Sequence, residues 1–290
     1  MQNFTGTGVA LVTPFLKNGE VDYKSFGKLL EHVLSGKVNF LVVFGTTGES
    51  SVLTYDEKRK IFNYLKQIVK KQLPIVYGAG GNFTSSLLKE ISSNPDIKNS
   101  DAILSVCPYY NKPSQEGLYK HFNAIAAISP VPVILYNVPS RTASNLHYTT
   151  SVRLSSHPNI IGIKEASTDI YQCMNIVKAT KKTDFIVLSG DDTFTLPGIS
   201  IGMNGVISVL ANALPEKFSA MTNFALASNR IKSSSIMHEL LPFCESIYEE
   251  GNPSGIKELL SQLGICNNVV RLPLTGISKK LSKRIKGLLN

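Results

Sequence analysis

Residues 159–167, "NIIGIKEAS", end an otherwise apolar run on a lysine. Carrying an ammonium group into an apolar site costs several kcal/mol, so Lys164 needs a compensating role. Side chains alternate along a strand, which sets Lys164 on one face with Ile160 and Gly162 and turns Ile161 and Ile163 to the other. If the strand belongs to a barrel, the lysine face is the interior. Desolvation there disfavours the ammonium and leaves a fraction of free amine able to attack a carbonyl carbon. The bland alternative is an ion pair with Glu165 or another carboxylate. Glu165 is the next residue, however, and so faces the opposite side.

Residues 136–142, "YNVPSRT", supply a second group. Tyr136 ends the apolar run before that of Lys164, and consecutive runs are neighbours in a sequentially wound barrel. The phenol then lies within reach of the amine and can pass protons to and from a carbinolamine oxygen. A free phenol holds its proton at neutral pH, so it needs a relay. Without Lys164 beside it, Tyr136 would read as a core tyrosine satisfied by a backbone partner. Residues 45–49, "GTTGE", offer clustered backbone N–H groups and the hydroxyls of Thr46 and Thr47, suited to gripping a carboxylate. Alone, the same residues also fit a plain turn.

These groups require a frame. Short apolar, β-rich runs alternate with helical patterns along the chain: "GVALVTPF", "NFLVVFG", "PIVYGAG", "DAILSVCP", "PVILYNV", "NIIGIKEA", "DFIVLSG" and "NGVISV". Between the first two, Phe26, Leu29, Leu30, Val33 and Leu34 form one helical stripe. After the second, Thr54 and Glu57 form a capping box ahead of Ile61, Leu65, Ile68 and Val69; later, Ile170, Cys173, Met174 and Val177 repeat the stripe. Nearly continuous apolar strands, each followed by a helix, call for a parallel sheet, and this number of them fits a closed (β/α)8 TIM barrel, an α/β fold. Residues 1–228 are expected to form the barrel and 229–290 a carboxyl-terminal helical region of three stretches.

In such a barrel the active site lies at the carboxyl ends of the strands. The runs there end in "FGTTGES", "CPYYN", "YNVPSRT", "KEAS" and "SGDD", a set of hydroxyls, phenols, one arginine and one lysine. The histidines at 32, 121, 147, 157 and 238 all fall in helical or loop stretches, which argues against a metal-assisted barrel enzyme. Four cysteines without C-x-x-C spacing read as buried thiols in a reducing compartment, and no apolar stretch reaches the length of a membrane span. A cytoplasmic chain with no membrane partner is expected. The net charge of +9 raises the question of nucleic acid. The basic segment at 278–290 carries Leu281, Ile285, Leu288 and Leu289 at helical spacing, so its lysines read as the solvated face of a terminal helix, with no nucleic-acid partner. Positive charge also concentrates small anionic substrates near a cleft.

Taken together, "GTTGES", "PYYNKPSQEGLYKHF", "LYNVPSRT", "IIGIKEAS", "LSGDD" and "GVISV" stand in the order and spacing of the pyruvate-dependent class I aldolases of the N-acetylneuraminate lyase superfamily. Over nearly its whole length the chain most closely resembles the dihydrodipicolinate synthase family within it. The resemblance implies a homotetramer, a dimer of dimers, that condenses pyruvate with aspartate semialdehyde on the route to diaminopimelate and lysine. It requires no cofactor and no metal. Residue by residue, it implies Lys164 as the Schiff-base lysine and Tyr136 as the proton donor and acceptor. Thr46 would link Tyr136 to Tyr110, which reaches in from the neighbouring subunit. Thr47 would hold the pyruvate carboxylate and Arg141 that of the semialdehyde, while Gly190 and Ile207 line the pocket through their backbones.

Two departures from the family pattern stand out. Ala143 replaces the glycine common after Arg-Thr, which could reshape the arginine loop, and "NPSGIK" at 252–257 replaces N-P-I-P-x-K, with an effect expected only at the start of a helix outside the barrel. Sugar-acid aldolases of the superfamily share "GTTGE" and the lysine but usually lack an arginine where Arg141 stands. They remain an alternative, as does a catalytically silent barrel that binds an effector. Members inhibited by lysine commonly carry histidines in a T-H-x-E-H pattern after "GTTGES" and a glutamate in the helix after the third strand. Here Tyr55, Lys58 and Ser86 occupy those positions, which implies weak or absent inhibition.

Overall fold

The computed structural model describes residues 4–289. Its strands are Gly6–Ala10 (β1), Phe40–Val43 (β2), Ile75–Gly78 (β3), Ala102–Val106 (β4), Val133–Asn137 (β5), Ile160–Glu165 (β6), Ile186–Ser189 (β7) and Gly205–Ser208 (β8). They form a closed barrel in sequential order with helices between them, the (β/α)8 architecture expected from the alternating runs. Each expected run contributes to one strand. Every residue of β1, β2, β5, β6 and β8 is buried, as a parallel sheet covered on its outer face requires. β1 ends earlier than its apolar run. Val12 and Phe15 stay buried beyond it, and Phe15 makes an isolated antiparallel bridge with Val21.

The chain divides into two compact units. One holds Pro74–Ile207 together with Phe4 and Thr5. Its strands pair in parallel from β3 to β8, and the helix Thr84–Ser93 packs on Gln115–Ile128, which packs on Tyr148–Leu154, which packs on Ile170–Thr180. In that last helix the buried face is Gln172, Cys173, Ile176 and Thr180, whereas Ile170 and Met174 are half exposed. The expected stripe is therefore rotated. Gln172 is drawn inward by a 2.9 Å hydrogen bond to the buried Glu165, and the apolar residues on the other flank turn outward.

The other unit holds Gly6–Leu73 and the described residues 208–289. Helix Tyr23–Ser35 buries Phe26, Leu29, Leu30 and Val33, and is capped by Asp22, whose carboxylate accepts from the Ser25 N–H at 3.0 Å. Helix Tyr55–Val69 starts with the expected reciprocal box between Thr54 and Glu57. The carboxyl-terminal part contains Pro215–Leu226, Arg230–Glu249, Ser254–Gln262 and Lys279–Gly287. Leu281 and Ile285 bury one side of the last helix, and Lys279, Lys280, Lys283, Arg284 and Lys286 are exposed on the other. Among the described residues no helix is long and apolar enough to cross a membrane.

Candidate active site

Parallel pairing of β5 with β6 sets Tyr136 opposite Lys164 and Asn137 opposite Glu165. Lys164 is 5% exposed, and its Nζ lies 4.3 Å from the centroid of the Tyr136 ring. The amine thus rests on the face of the phenol beside it, a placement favourable to a cation. Among the described residues it has no carboxylate partner. One detail of the expected alternation fails: Val133 pairs with Ile160 but Ile134 with Gly162, so the register shifts at Ile161. The extra residue interrupts the two-residue period, and the common face with Lys164 begins only at Gly162.

Glu165 is fully buried and engaged elsewhere. Both of its carboxylate oxygens accept from Asn137 Nδ2 at 3.0 Å, Oε2 accepts from Gln172 Nε2 at 2.9 Å, and Oε1 from the Ser167 N–H at 2.8 Å. Burial pushes this carboxyl above the ordinary glutamate range, against the pull of those hydrogen bonds. The partners of Glu165 lie on β5, in the β6 loop and on the helix Ile170–Thr180, away from the amine of Lys164. After β7, Gly190 leaves room for the lysine stem, since a Cβ there would sit 3.0 Å from Lys164 Cε and 2.5 Å from Ala166 Cβ. Ile207 is fully buried in β8.

Tyr110 and Arg141 lie on adjoining loops. The Tyr110 N–H donates to the Thr142 carbonyl at 3.1 Å, which ties its loop to the short helix Pro139–Thr142 that carries the exposed Arg141. Tyr110 itself is 89% exposed and has φ +71°, a left-handed conformation that costs an L residue roughly 1–2 kcal/mol. Ala143 closes the Pro139–Thr142 helix at φ +55°. Glycine adopts this conformation without penalty, so the substitution noted in the sequence falls on a backbone position that favours glycine.

Thr46 and Thr47 head a tight turn, Thr46–Gly48, just after β2. The turn's own bonds use the N–H groups of Gly48 and Glu49, donated to Gly45 O at 3.1 Å and Thr46 O at 3.0 Å, and leave those of Thr46 and Thr47 outside them. Thr46 is exposed, whereas Thr47 is buried and its Oγ1 accepts from Asn252 Nδ2 at 3.0 Å. Glu49, left-handed at φ +54°, is buried against Lys257 Nζ at 2.5 Å and accepts from the Arg271 N–H at 2.9 Å. Lys257 Nζ also donates to Val269 O at 2.8 Å and sits 4.1 Å from the centroid of the Phe15 ring. Burial holds this amine below the ordinary lysine range, with the charge of Glu49 opposing the shift. The Arg271 guanidinium grips both carboxylate oxygens of Glu57 and the carbonyls of Gly19 and Val52, and its hydrogen bonds hold Glu57 down at about 2.

The residues of "NPSGIK" that depart from the family pattern, Ser254 and Gly255, lie in the first turn of the helix Ser254–Gln262, and the segment also reaches the turn after β2. Through Asn252 and Lys257 it fastens the "GTTGE" turn, and Gly255 lets the helix Ser254–Gln262 sit where a Cβ would lie 2.3 Å from Ile247 O. Asn252 and Lys257, the two ends of "NPSGIK", and Arg271 carry no sequence signal for this contact, because their partners stand 205, 208 and 222 residues away. Glu49 alone carried a signal, as the last residue of "GTTGE".

The comparisons with known proteins agree with one another. The model of the dihydrodipicolinate synthetase family matches residues 3–290. The 4-hydroxy-tetrahydrodipicolinate synthase of Cytophaga hutchinsonii is 47% identical over 286 residues, 99% of this chain and 96% of the relative. That of Flavobacterium psychrophilum is 46% identical, covering 98% of this chain and 97% of the relative. The crystal structure of dihydrodipicolinate synthase from Thermotoga maritima superposes with a TM-score of 0.95 at 38% identity, over 99% of this chain and 97% of that one. A dihydrodipicolinate synthase variant characterised as monomeric has the same TM-score at 37% identity, over 99% of this chain and 96% of that one. With its barrel, its lysine–tyrosine pair and a match along almost its entire length, the chain belongs to the dihydrodipicolinate synthetase family.

Proposed function

We propose that this chain is a lyase of the class I aldolase type that condenses pyruvate with aspartate semialdehyde to hydroxy-tetrahydrodipicolinate, in diaminopimelate and lysine biosynthesis. The observation that carries the reading is the buried Lys164 amine against the ring of Tyr136, at the carboxyl ends of β5 and β6. Lys164 attacks the ketone carbon of pyruvate, and Tyr136 passes the proton that lets the carbinolamine oxygen leave as water. The resulting imine draws electrons from the pyruvate methyl, which loses a proton to give an enamine. The enamine carbon attacks the aldehyde. The amine of the bound adduct then attacks the imine carbon, closing the ring and freeing Lys164.

Thr47 holds the pyruvate carboxylate through its hydroxyl and N–H, and Arg141 receives the semialdehyde carboxylate, for which a guanidinium fork is well shaped. Thr46 and Tyr110 complete the proton relay, with Tyr110 supplied by a neighbouring copy. Gly190 and Ile207 form the wall behind the lysine. In support of supply in trans, Tyr110 is almost wholly exposed on its own chain, with Tyr109 half exposed beside it. This reading requires at least a dimer, and the proposed assembly is the homotetramer, a dimer of dimers, that the family resemblance implies. Ile170, Tyr171 and Met174 offer a second exposed apolar surface for the assembly. Four buried free thiols favour the cytoplasm.

Borohydride reduction in the presence of pyruvate tests the covalent step. A reduced pyruvyl group is expected on Lys164 and absent in Lys164→Arg, whose guanidinium stays protonated. Mass spectrometry placing the adduct on another lysine would refute the assignment. Turnover of aspartate semialdehyde against N-acetylneuraminate separates the synthase from the sugar-acid aldolases.

A further inference from the structure

The hydroxyl of Thr47 has one proton to give and two lone pairs to offer. One lone pair is taken by the Asn252 amide, which donates at 3.0 Å, so the proton is directed away from Asn252. Among the described residues the Thr47 hydroxyl has no acceptor of its own. It is a buried donor left unspent, 4% exposed, on the turn that follows β2. Asn252 is 8% exposed and immediately precedes a segment anchored at three further points. Ser254 Oγ donates to Thr275 O at 2.7 Å, Gly255 lies against the Ile247 backbone, and Lys257 pairs with Glu49 of the same turn. The amide and the ammonium thus grip the turn at Thr47 and again at Glu49, two residues on.

We infer that Asn252 is a positioning residue for substrate binding: its amide N–H fixes the Thr47 hydroxyl as a hydrogen-bond donor to the carboxylate of an α-keto acid. The inference rests on the reading of Thr47 as the carboxylate-binding residue and assigns that property partly to the carboxyl-terminal segment. An acceptor in place of the Asn252 amide would capture the Thr47 proton and reverse the hydroxyl. A carboxylate there would also repel an anionic substrate.

The test compares Asn252→Asp, which is isosteric, and Asn252→Ala with Thr47→Val and the double variant Asn252→Ala/Thr47→Val. Half-saturation by pyruvate is measured in steady-state turnover and in borohydride trapping, with methyl pyruvate, an uncharged ester, as the second ligand for trapping. Asn252→Asp is expected to raise the half-saturation for pyruvate ~30-fold and that for the ester only a few-fold, with kcat within about 3-fold. Asn252→Ala is expected to give ~5-fold on pyruvate and to add nothing once Thr47 is valine. Equal losses for pyruvate and its ester would mean a merely structural role and overturn the proposal. So would independent, multiplicative losses in the double variant. If Thr47→Val alone leaves pyruvate binding unchanged, the reading of Thr47 fails and the proposal falls with it. If Thr47→Val weakens pyruvate strongly while both Asn252 variants do not, only the role of Asn252 is refuted.

Discussion

Replacing Lys257 by methionine removes one charge from the anchor of the "GTTGE" turn while nearly keeping the side chain's length and volume. The ammonium and the Glu49 carboxylate are 2.5 Å apart, with side chains 0% and 1% exposed. Among the described residues, the replacement leaves the buried Glu49 the Arg271 N–H to accept from, and Val269 O loses its donor. Breaking a buried pair from one side costs about 3–5 kcal/mol, because the surviving charge is uncompensated. Methionine fills the space of the lysine stem, so no cavity contribution is added. For 290 residues the unfolding entropy is about 0.6 kcal/mol/K, so Tm should fall by about 5–8 °C. Glu49→Gln in the Lys257→Met background should recover about half of the loss, since a neutral amide oxygen still accepts from Arg271 and carries no charge to strand. Thermal and urea denaturation of the two single variants and the double variant give the coupling directly. A loss below 1 kcal/mol for Lys257→Met, or additive losses in the double variant, would show that the pair does not hold the turn.

Acid should weaken the Glu57–Arg271 clamp. Glu57 is lowered from 4.5 to about 2 in the folded chain, so its contribution is present above pH ~4.5 and is lost as pH falls towards 2. For this partly exposed pair the loss is on the order of 2 kcal/mol, and Glu57→Gln should flatten the stability profile across that window if the assignment holds. Gly190→Ala places a Cβ 3.0 Å from Lys164 Cε and should cut borohydride-trapped pyruvate at least ~100-fold with far-UV circular dichroism unchanged; full trapping would disprove the steric argument. Ala143→Gly relieves a residue at φ +55° and should raise stability by about 0.5 kcal/mol, allowing for the freer unfolded chain; a lower Tm would contradict it. Lysine is expected to inhibit weakly, since Tyr55, Lys58 and Ser86 stand where regulated relatives carry histidines and a glutamate. Cooperative inhibition below about 1 mM, a ~4 kcal/mol binding event, would refute that reading.

The barrel was legible in the sequence because its information is local. Apolar runs bounded by turn residues locate each strand, Thr54 and Glu57 start a helix through contacts three residues apart, and sequential winding makes Tyr136 and Lys164 neighbours. Even the separation of Lys164 from Glu165 follows from the two-residue period of a strand. Tertiary structure decided what depends on distant parts of the chain. The shift at Ile161 depends on how β6 meets β5, and the outward turn of Ile170 and Met174 depends on Gln172 reaching Glu165. The grip of Asn252, Lys257 and Arg271 on the "GTTGE" turn joins residues more than 200 positions apart. A lone Asn, Lys or Arg reads as solvated surface. Only when folding buries it beside a hydroxyl or a carboxylate does desolvation require a partner, and the identity of that partner is set by packing geometry that no short-range pattern encodes.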